Sequence, residues 1–576
     1  MLTLSVSGMP SFWQRSPRLF GAVAAICLAA MSAPASAAPA PPLPGAVQPG
    51  HDRPIPQAPL PPDFDFSIEA PHRSPVPRAV DEIHFKLAGV RIEGAVTLSA
   101  DSFRPLYQDL IGKEITLADI LNVADAIEQE YRAAGYLLVR AYVPPQKVND
   151  GIFRIVVVEG FVSSTVVDGG DAAARDIIKS YLAPVVDEKP LRLPTVERAL
   201  LLSNDIPGVT ATGVLRPSPD VPGASDLAVT VAEPDISGGI ETDNRGSHYS
   251  GLWTVTANAQ YNSIFGADQL SANITASPHS LEQVGGQVRY RKAIGDDGLV
   301  GSLVVGISHG QPGAALGALD VRTDSWAIGP RLSYPLIRTR AETLTIDGGI
   351  TVQDARVKIL DAPISHDQWR VADIALSYLS NDFLYGSMSS TLDISQGLPI
   401  FGATPNDSPN ISQGGKTDFT KLSGLFRYTV PLFPQFSAQI AAQGQYSFQP
   451  LITGEQILFG GTQIGRGYDP GAITGDRGIG GSFELRYDTA LPEWHINQMQ
   501  PYTFFDAAQT WFIPRSAVLG PSLGDYSLAS VGAGVRFWFP YNIYGDVEVA
   551  RMLDSVPGSN NGKRETKILV DLAVNY

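Results

Sequence analysis

The chain has 576 residues and a mass of 61.5 kDa, a length that predicts more than one domain. Hydrophobic residues make up 44% of it and charged residues 17%, a composition that excludes disordered, collagen-like and coiled-coil proteins. Its 42 basic and 58 acidic residues give a net charge of −16, which argues against nucleic acid as the main partner, because phosphate binding needs basic surface. The single cysteine excludes a disulfide framework and a cysteine-based zinc site.

Residues 1–37 are predicted to be an export signal. Arg15 and Arg18 precede the apolar core at residues 19–31, and Ala35-Ser36-Ala37 supplies the small residues of a cleavage site. This core is too short to span a bilayer as a stable helix. We expect the mature protein to begin at Ala38, in the periplasm or the outer membrane. No later run of about 18 apolar residues follows, so a membrane-embedded form must be a β-barrel.

Two small α+β units are predicted after a proline-rich stretch. Residues 38–82 contain 13 prolines and are expected to be an extended linker or the tether of a pore plug. Residues 83–161 follow the order strand, helix, helix, strand, strand. Thr116 is placed to cap the longer helix, with Asp119 in the position of a capping box. Residues 162–234 repeat this order, which indicates two tandem units of about 75 residues each.

Residues 235–576 show a different pattern, in which apolar and polar side chains alternate with a period of two. From Trp253 to Tyr261 the apolar face has aromatic residues at its ends and small residues between them, and the other face has Thr, Asn and Gln. The two aromatic residues lie about 27 Å apart in a strand, which matches the aromatic girdles of a membrane barrel. We place sixteen antiparallel strands near residues 236, 251, 268, 283, 299, 324, 342, 368, 388, 419, 436, 478, 501, 526, 543 and 566.

The connections between these strands alternate between short and long. The short ones include residues 265–267, 295–298 and 540–542, and the long ones include residues 398–418, 451–477 and 554–565. Bacterial barrels have even strand numbers, short periplasmic turns and longer outer loops. Sixteen strands therefore place both ends of the barrel on the periplasmic side, with the two small units. The chain ends in an alternating strand closed by Tyr576, the usual form of an outer-membrane assembly signal.

Short motifs occur in a fixed order along the chain. The first unit contains Gly135-Tyr136 and the segments 141–146 and 156–160, and the second contains the segments 197–202 and 204–208. The last region opens with residues 243–247 and continues with residues 266–270. In this order the chain resembles the two-partner secretion transporters, the haemolysin secretion/activation or TpsB type, from about residue 83 to residue 576. The resemblance implies a 16-stranded antiparallel outer-membrane β-barrel at residues 235–576, preceded by two periplasmic POTRA domains of the order β-α-α-β-β.

The long connection at about residues 451–477 contains Gly465-Arg466-Gly467-Tyr468, which resembles the tip of the family's loop six, a loop that folds into the lumen. By the same resemblance Arg466 pairs with Asp506, and Phe504 accompanies Asp506 on the thirteenth strand. The chain has Gly465 where the family usually has Val or Ile, and Ala508 where Gly is usual. Independently of the resemblance, an arginine offers a planar fork of donors that suits one carboxylate. The alternative from the residues alone is an exposed glycine-rich turn with a solvated arginine.

The resemblance implies a pore that exports a large, mostly β-helical exoprotein, of the adhesin or haemolysin type, from the periplasm to the cell surface. The POTRA domains are expected to dock this substrate while it is unfolded. The candidate docking residues are Tyr136, Ala141, Tyr142, Glu197 and Arg198. Besides the exoprotein, the expected partners are outer-membrane lipid and, during biogenesis, the barrel-assembly machinery; nucleic acid is not expected.

Catalysis is not expected, and neither is a cofactor or a metal. The sequence has no H-E-x-x-H zinc pattern, no G-x-S-x-G nucleophile elbow and no phosphate-binding loop. Two other functions stay open on the residues alone. A barrel-assembly factor of the same superfamily usually carries more POTRA domains, often five, and a small-solute porin has no need of two periplasmic domains.

Overall fold

The structure is a computed structural model that describes residues 65–68, 84–148, 151–221, 223–278, 282–515, 524–557, 559 and 562–576. The predicted export signal, residues 1–37, lies outside the described residues, as does most of the predicted linker at residues 38–82. The described part of that linker is a strand, β1 (Asp65–Ile68). No helix in the described part of the chain is both long enough and apolar enough to cross a membrane.

The first small domain packs one long helix on a three-stranded sheet. Its elements are β2 (His84–Lys86), β3 (Gly89–Glu93), α1 (Arg104–Tyr107), β4 (Glu114–Thr116), α2 (Leu117–Ala133), β5 (Val139–Tyr142) and β6 (Ile152–Glu159). The sheet has the order β3-β6-β5, with β3 parallel and β5 antiparallel to β6, and β2 pairs with β4. The first strand predicted for this unit is divided in the structure at Leu87, where the buried side chain and a change of pairing partner separate β2 from β3.

Helix α2 begins where the sequence predicts, at a complete capping box. The Thr116 N–H donates to Asp119 Oδ2 at 2.8 Å, and the Asp119 N–H donates to Thr116 Oγ1 at 3.3 Å. The helix buries one apolar face against the inner face of β6, as its periodicity predicts. The buried residues of this core include Ile120, Ala124, Ile127, Tyr131, Phe153, Ile155 and Val157.

The second small domain repeats the plan and takes in the extra strand β1. Its elements are β7 (Phe161–Gly169), α3 (Ala172–Asp187), α4 (Leu193–Asp205), β8 (Thr210–Pro217) and β9 (Ala224–Ala232). The sheet order is β1-β8-β9-β7, and β1 lies parallel to β8 with Phe66 opposite Gly213. The linker stretch is therefore extended here, as expected, but the Phe66 side chain also packs against the core of the second domain.

The first eleven barrel strands follow each other as antiparallel neighbours. They are β10 (Ile236–Asp243), β11 (Thr254–Asn262), β12 (Asp268–Ala276), β13 (Gln283–Ile294), β14 (Leu299–Gly310), β15 (Val321–Arg338), β16 (Glu342–Ile359), β17 (Ala362–Phe383), β18 (Gly386–Gly397), β19 (Thr420–Phe433) and β20 (Phe436–Ser447). A small hairpin of β21 (Ile457–Phe459) and β22 (Ile473–Gly475) then follows in the chain and forms a separate sheet that is not part of the wall.

The wall is completed by β23 (Arg477–Tyr487), β24 (Thr489–Leu491), β25 (Ile496–Trp511), β26 (Tyr526–Phe539), β27 (Ile543–Met552) and β28 (Thr566–Asn575). Strand β24 continues β23 after Asp488, and both pair with β25, so together they form one strand of the wall. Strand β28 pairs with β10 and closes a barrel of sixteen strands. All sixteen predicted strands lie within a few residues of observed ones, and their alternation separates an exposed apolar outer face from a polar lumen.

Candidate functional site

The long connection between β20 and β23, residues 448–476, folds against the inner side of the barrel wall. We call it loop six. Its hairpin and tip bury apolar side chains against residues of β25, β26 and β27. This cluster consists of Ile457, Phe459, Ile464, Tyr468, Ala472, Ile473, Ala508, Leu528, Met552 and Val556. The tip is therefore packed inside the barrel and is not an exposed turn.

Arg466, at the tip of loop six, lies against Asp506 on β25. Its Nε donates to Asp506 Oδ2 at 3.1 Å, and its Nη2 donates to Asp506 Oδ1 at 3.0 Å. The guanidinium carbon lies 3.5 Å from the centre of the Phe504 ring, within cation–π distance. Arg466 is 6% exposed and Asp506 is fully buried. This is the bidentate arrangement that a planar guanidinium makes with a carboxylate.

Two further carboxylates surround Arg466, and sequence reasoning did not find them. Its Nη1 donates to Glu484 Oε2 at 2.7 Å and lies 3.5 Å from Glu548 Oε2. Glu484 also accepts hydrogen bonds from Arg536, at 2.7 and 3.1 Å, and so joins two arginines. The available signal was the alternation of β23, which places Glu484 on the lumen face between outward-facing apolar residues.

Gly465 departs from the usual family residue, and its backbone gives the reason. Its φ is +88°, a left-handed conformation that glycine adopts without steric cost. In this conformation the Gly465 and Arg466 N–H groups both donate to Asp506 Oδ2, at 3.2 and 3.0 Å. A Cβ atom at Gly465 would lie 2.9 Å from Leu528 Cδ1. Asp506 therefore accepts two backbone hydrogen bonds from the tip in addition to those from the Arg466 side chain.

The tyrosine of the motif attaches the tip to the next two strands. Tyr468 is 2% exposed, and its hydroxyl lies 2.8 Å from the Ala529 carbonyl oxygen and accepts the Asp554 N–H at 3.0 Å. Gly467 lies close against the wall, since a Cβ atom there would meet Ser530 Cβ and the Arg551 carbonyl carbon at 3.1 Å. The structure thus brings together all four motif residues with Asp506 and Phe504.

Arg245 forms a second charged cluster where the barrel closes. It follows β10, and it pairs with Asp546 and Glu548 on β27 and with Asp571 on β28, each at 3.2 Å. Glu548 also lies near Arg466, so the two clusters share a carboxylate. The sequence marked the segment around Arg245 as a motif but gave no partner for it. Its partners are more than 300 residues away in the chain.

The predicted docking residues of the first domain lie near the edge strand β5. Tyr142 is 48% exposed. Ala141 is buried, and the Ala141 N–H donates to Glu128 Oε1 at 3.0 Å. Tyr136 is half-buried, contacts the ring of Tyr131 edge-on, and pairs through its backbone with Arg192 of the second domain. Tyr142 therefore offers an exposed aromatic surface, and Tyr136 lies at the junction between the two domains.

The predicted docking residues of the second domain lie close to the barrel. Glu197 on α4 accepts the Arg340 N–H at 2.6 Å and Arg340 Nε at 3.0 Å, in the turn between β15 and β16. Arg198, beside it, is half-buried. Asp205, at the end of α4, makes a bidentate pair with Arg338 at 2.8 and 2.7 Å. Glu197 is thus already engaged by the barrel, which leaves it no free carboxylate for a substrate.

A further contact joins the second domain to the first barrel turn. Asp171 caps α3 by accepting the Ala174 N–H at 2.7 Å, and it also accepts the Ala267 N–H at 2.9 Å and the Ser263 hydroxyl. Burial raises the pKa of the Asp171 carboxyl, but these hydrogen bonds outweigh burial and hold the pKa below its usual value. An ionised Asp171 therefore holds helix and turn together.

Among the described residues, two groups have the ligand types and spacing that a metal ion could use. One consists of His248, Asp469 and Glu565, and the other of Glu241, Asp243 and Asp571. In the first group Asp469 is already paired with the ammonium of Lys567 and with His248. In the second, Asp571 is paired with Arg245. One carboxylate of each group, Asp469 or Asp571, therefore already has a protein cation as its partner.

The fold and the lumen site define a class of protein: an outer-membrane β-barrel transporter with periplasmic POTRA domains. The family model of the ShlB-type POTRA domain matches residues 85–160. The family model of the haemolysin secretion/activation protein ShlB/FhaC/HecB matches residues 223–537, more than half of the chain. The chain belongs to this family of two-partner secretion transporters and exports a partner exoprotein across the outer membrane.

Known relatives agree with this assignment over most of their length. The chain is 23% identical to the heme/hemopexin transporter protein HuxB of Haemophilus influenzae strain 86-028NP over 498 residues, which covers 82% of this chain and 85% of HuxB. It is 25% identical to the hemolysin transporter protein HpmB of Proteus mirabilis, covering 86% and 88%. The solved structure of CdiB from Escherichia coli has the same fold, with a TM-score of 0.63 at 18% identity, covering 88% and 93%.

Proposed function

We propose that the exported partner is a large, mostly β-helical exoprotein of the adhesin or haemolysin type, and that loop six holds the pore in its working conformation. The observation that carries this proposal is the buried Arg466–Asp506 pair inside the barrel. A pore for small solutes has no need of a loop fixed to its wall by a buried bidentate ion pair. The names of HuxB and HpmB, a heme/hemopexin transporter and a hemolysin transporter, support this class of cargo.

We place substrate docking on the first domain, at residues 83–161. Adding an extended peptide as a new strand needs a free sheet edge, because backbone groups provide most of the affinity. In the second domain, at residues 162–234, the strand between the second helix and the last strand is β8, and its outer edge already pairs with β1. Strand β5 is an edge of the first sheet, with Tyr142 exposed beside it. An incoming strand displaces the Glu128 carboxylate from the Ala141 N–H.

Energy for transport comes from folding of the exoprotein outside the cell, which prevents it from sliding back. The sequence contains no nucleotide-binding loop that would supply another source. Strand β28, which ends next to Tyr576, carries the alternating pattern that the barrel-assembly machinery recognises during biogenesis. The exposed apolar outer face contacts outer-membrane lipid.

The proposal is tested by deleting the gene and measuring the proteins of the culture medium and cell surface by mass spectrometry. We expect the loss of one large exoprotein, restored by the wild-type gene. Loss of many outer-membrane proteins would indicate barrel assembly, and unchanged proteins with altered solute uptake would indicate a porin. A photo-crosslinking residue at Tyr142 should capture the exoprotein, whereas one at Val166, an exposed apolar residue of the second domain, should not.

A further inference from the structure

A polar cavity lies between the second small domain and the barrel lumen. Its volume is about 620 Å³, and one side is formed by residues 204–209, the end of α4 and the turn that leads to β8. The other side is the inner wall of β11 to β16, lined largely by Asn, Gln, Ser and Thr. The bidentate pair of Asp205 with Arg338 fixes the turn beneath this wall. The cavity is therefore at the periplasmic mouth of the lumen.

The charged residues that line this cavity are mainly basic, although the whole chain carries a net charge of −16. They are the four arginines Arg289, Arg291, Arg331 and Arg338 and the two aspartates Asp205 and Asp347. Arg338 is paired with Asp205, and Arg331 is paired at 2.6 Å with Asp373, on the inner face of β17. Neither Arg289 nor Arg291 makes an ion pair or a side-chain hydrogen bond with any residue that the structure describes.

The two unpaired arginines are two positions apart on β13. Side chains at this spacing point to the same face, about 7 Å apart along the strand. Their neighbour Val288 is 45% exposed on the outer face, so the arginines face the lumen. Two permanent positive charges this close repel each other. Asp205 and Asp347 attract Arg291 without forming an ion pair with it, so an anion between the two arginines or beside Arg289 removes the remaining repulsion.

We propose that Arg289 and Arg291 form a recognition site for acidic side chains of the polypeptide entering the pore. An extended polypeptide places every second side chain about 7 Å apart, the same spacing as the two arginine positions on β13. Carboxylates at alternate positions of such a segment therefore bind both arginines through charge-assisted hydrogen bonds. The site faces the lumen, where lipid does not reach it. This inference names the substrate chemistry of the entrance and rests on the proposed transport function.

The site is tested by the binding of a labelled octaglutamate peptide to the purified full-length protein in detergent. Binding is followed by fluorescence anisotropy at low salt. We expect saturable binding that salt weakens, and about tenfold weaker binding by the double variant R289Q/R291Q, since two partly exposed ion pairs are lost. Arg427 provides a matched control: it lines another lumen cavity, on β19, and has no ion pair among the described residues. The R427Q variant should bind like wild type.

Absence of octaglutamate binding by the wild-type protein, or equal binding by R289Q/R291Q, would overturn the proposal. Full competition by inorganic phosphate at the peptide's own concentration would also overturn it, because a small anion would then be the ligand. In cells, R289Q/R291Q should slow exoprotein release at normal barrel levels. If the peptide results fail while the exoprotein still depends on this transporter, the entrance site is wrong and the transport function stands.

Discussion

Replacing Arg466 by alanine tests how the lumen site controls transport. The substitution removes four side-chain hydrogen bonds, to Asp506 twice, to Glu484 and to Ser482. Glu484 keeps Arg536 as an ion-pair partner, so Asp506 is the carboxylate that loses its cation. Asp506 is fully buried and keeps only the backbone N–H groups of residues 465 and 466 and a longer contact to Ser530. Breaking a buried pair by removing one partner costs about 3–5 kcal/mol.

That cost acts on the docked position of loop six, because Arg466 belongs to the loop while Asp506 belongs to the wall. A free-energy change of about 1.4 kcal/mol alters an equilibrium constant by a factor of ten, so the ratio of docked to released loop six falls by a factor of about 10² to 10³ or more. We expect the barrel to remain inserted, since its sixteen strands keep their backbone pairing. Secretion of the exoprotein should fall to a few per cent or less.

The assay combines secretion with a direct measurement of the loop. Released exoprotein is quantified in the medium at matched barrel levels, and hydrogen exchange of residues 448–476 is measured on the purified protein. Arg466→Lys keeps the charge but lacks the planar fork, so its effect should be intermediate. Arg477→Ala is the matched control, because Arg477 directly follows loop six, at the start of β23, and contacts the Ser447 carbonyl and the Tyr446 ring. Normal secretion and normal loop protection in Arg466→Ala would refute the reasoning.

Three further predictions concern the backbone of the tip, the domain junction and the first domain. Gly465→Ala should reduce secretion, because the backbone has a φ of +88° there and the added Cβ atom would approach Leu528. Gly402→Ala is the control and should not reduce secretion, because Gly402 has a similar φ of +76° but open space around it. Equal effects of the two substitutions would contradict the steric argument. Asp205→Ala leaves the buried Arg338 without its carboxylate partner, which should weaken the contact between the second domain and the barrel by about 1–3 kcal/mol and speed hydrogen exchange of residues 204–209. Unchanged exchange would show that the ion pair does not hold this contact. Burial raises the pKa of Glu159, but hydrogen bonds from Tyr131 and Thr97 outweigh burial and lower the pKa below its usual value. The stability that the ionised Glu159 gives to the folded domain is therefore present above the unfolded pKa and is lost as pH falls through the lowered folded pKa. Amide exchange at residues 96–97, corrected for intrinsic rates, should increase below about pH 4.5 in wild type; Glu159→Gln should remove this dependence.

Local patterns were sufficient to predict much of the architecture. The strands of the barrel alternate between lipid and water, so each strand carries its own signal without knowledge of its neighbours. The cap of α2 is equally local, because Thr116 and Asp119 are three residues apart. The motif around Arg466 and the carboxylate at Asp506 were found through the family resemblance, and the two groups are 40 residues apart in the chain.

Tertiary structure alone decided which charges meet inside the barrel. Several inward-facing arginines and carboxylates were available, and alternation gives the face of a side chain but not its partner. Closure of the wall brings Arg245 to Asp571, 326 residues away, and the folding of loop six into the lumen brings Arg466 to Glu484 and Glu548. Packing also decided that Phe66, in a proline-rich stretch, adds a strand to the second domain. These contacts depend on distances between remote segments, which a sequence pattern with a period of two residues does not contain.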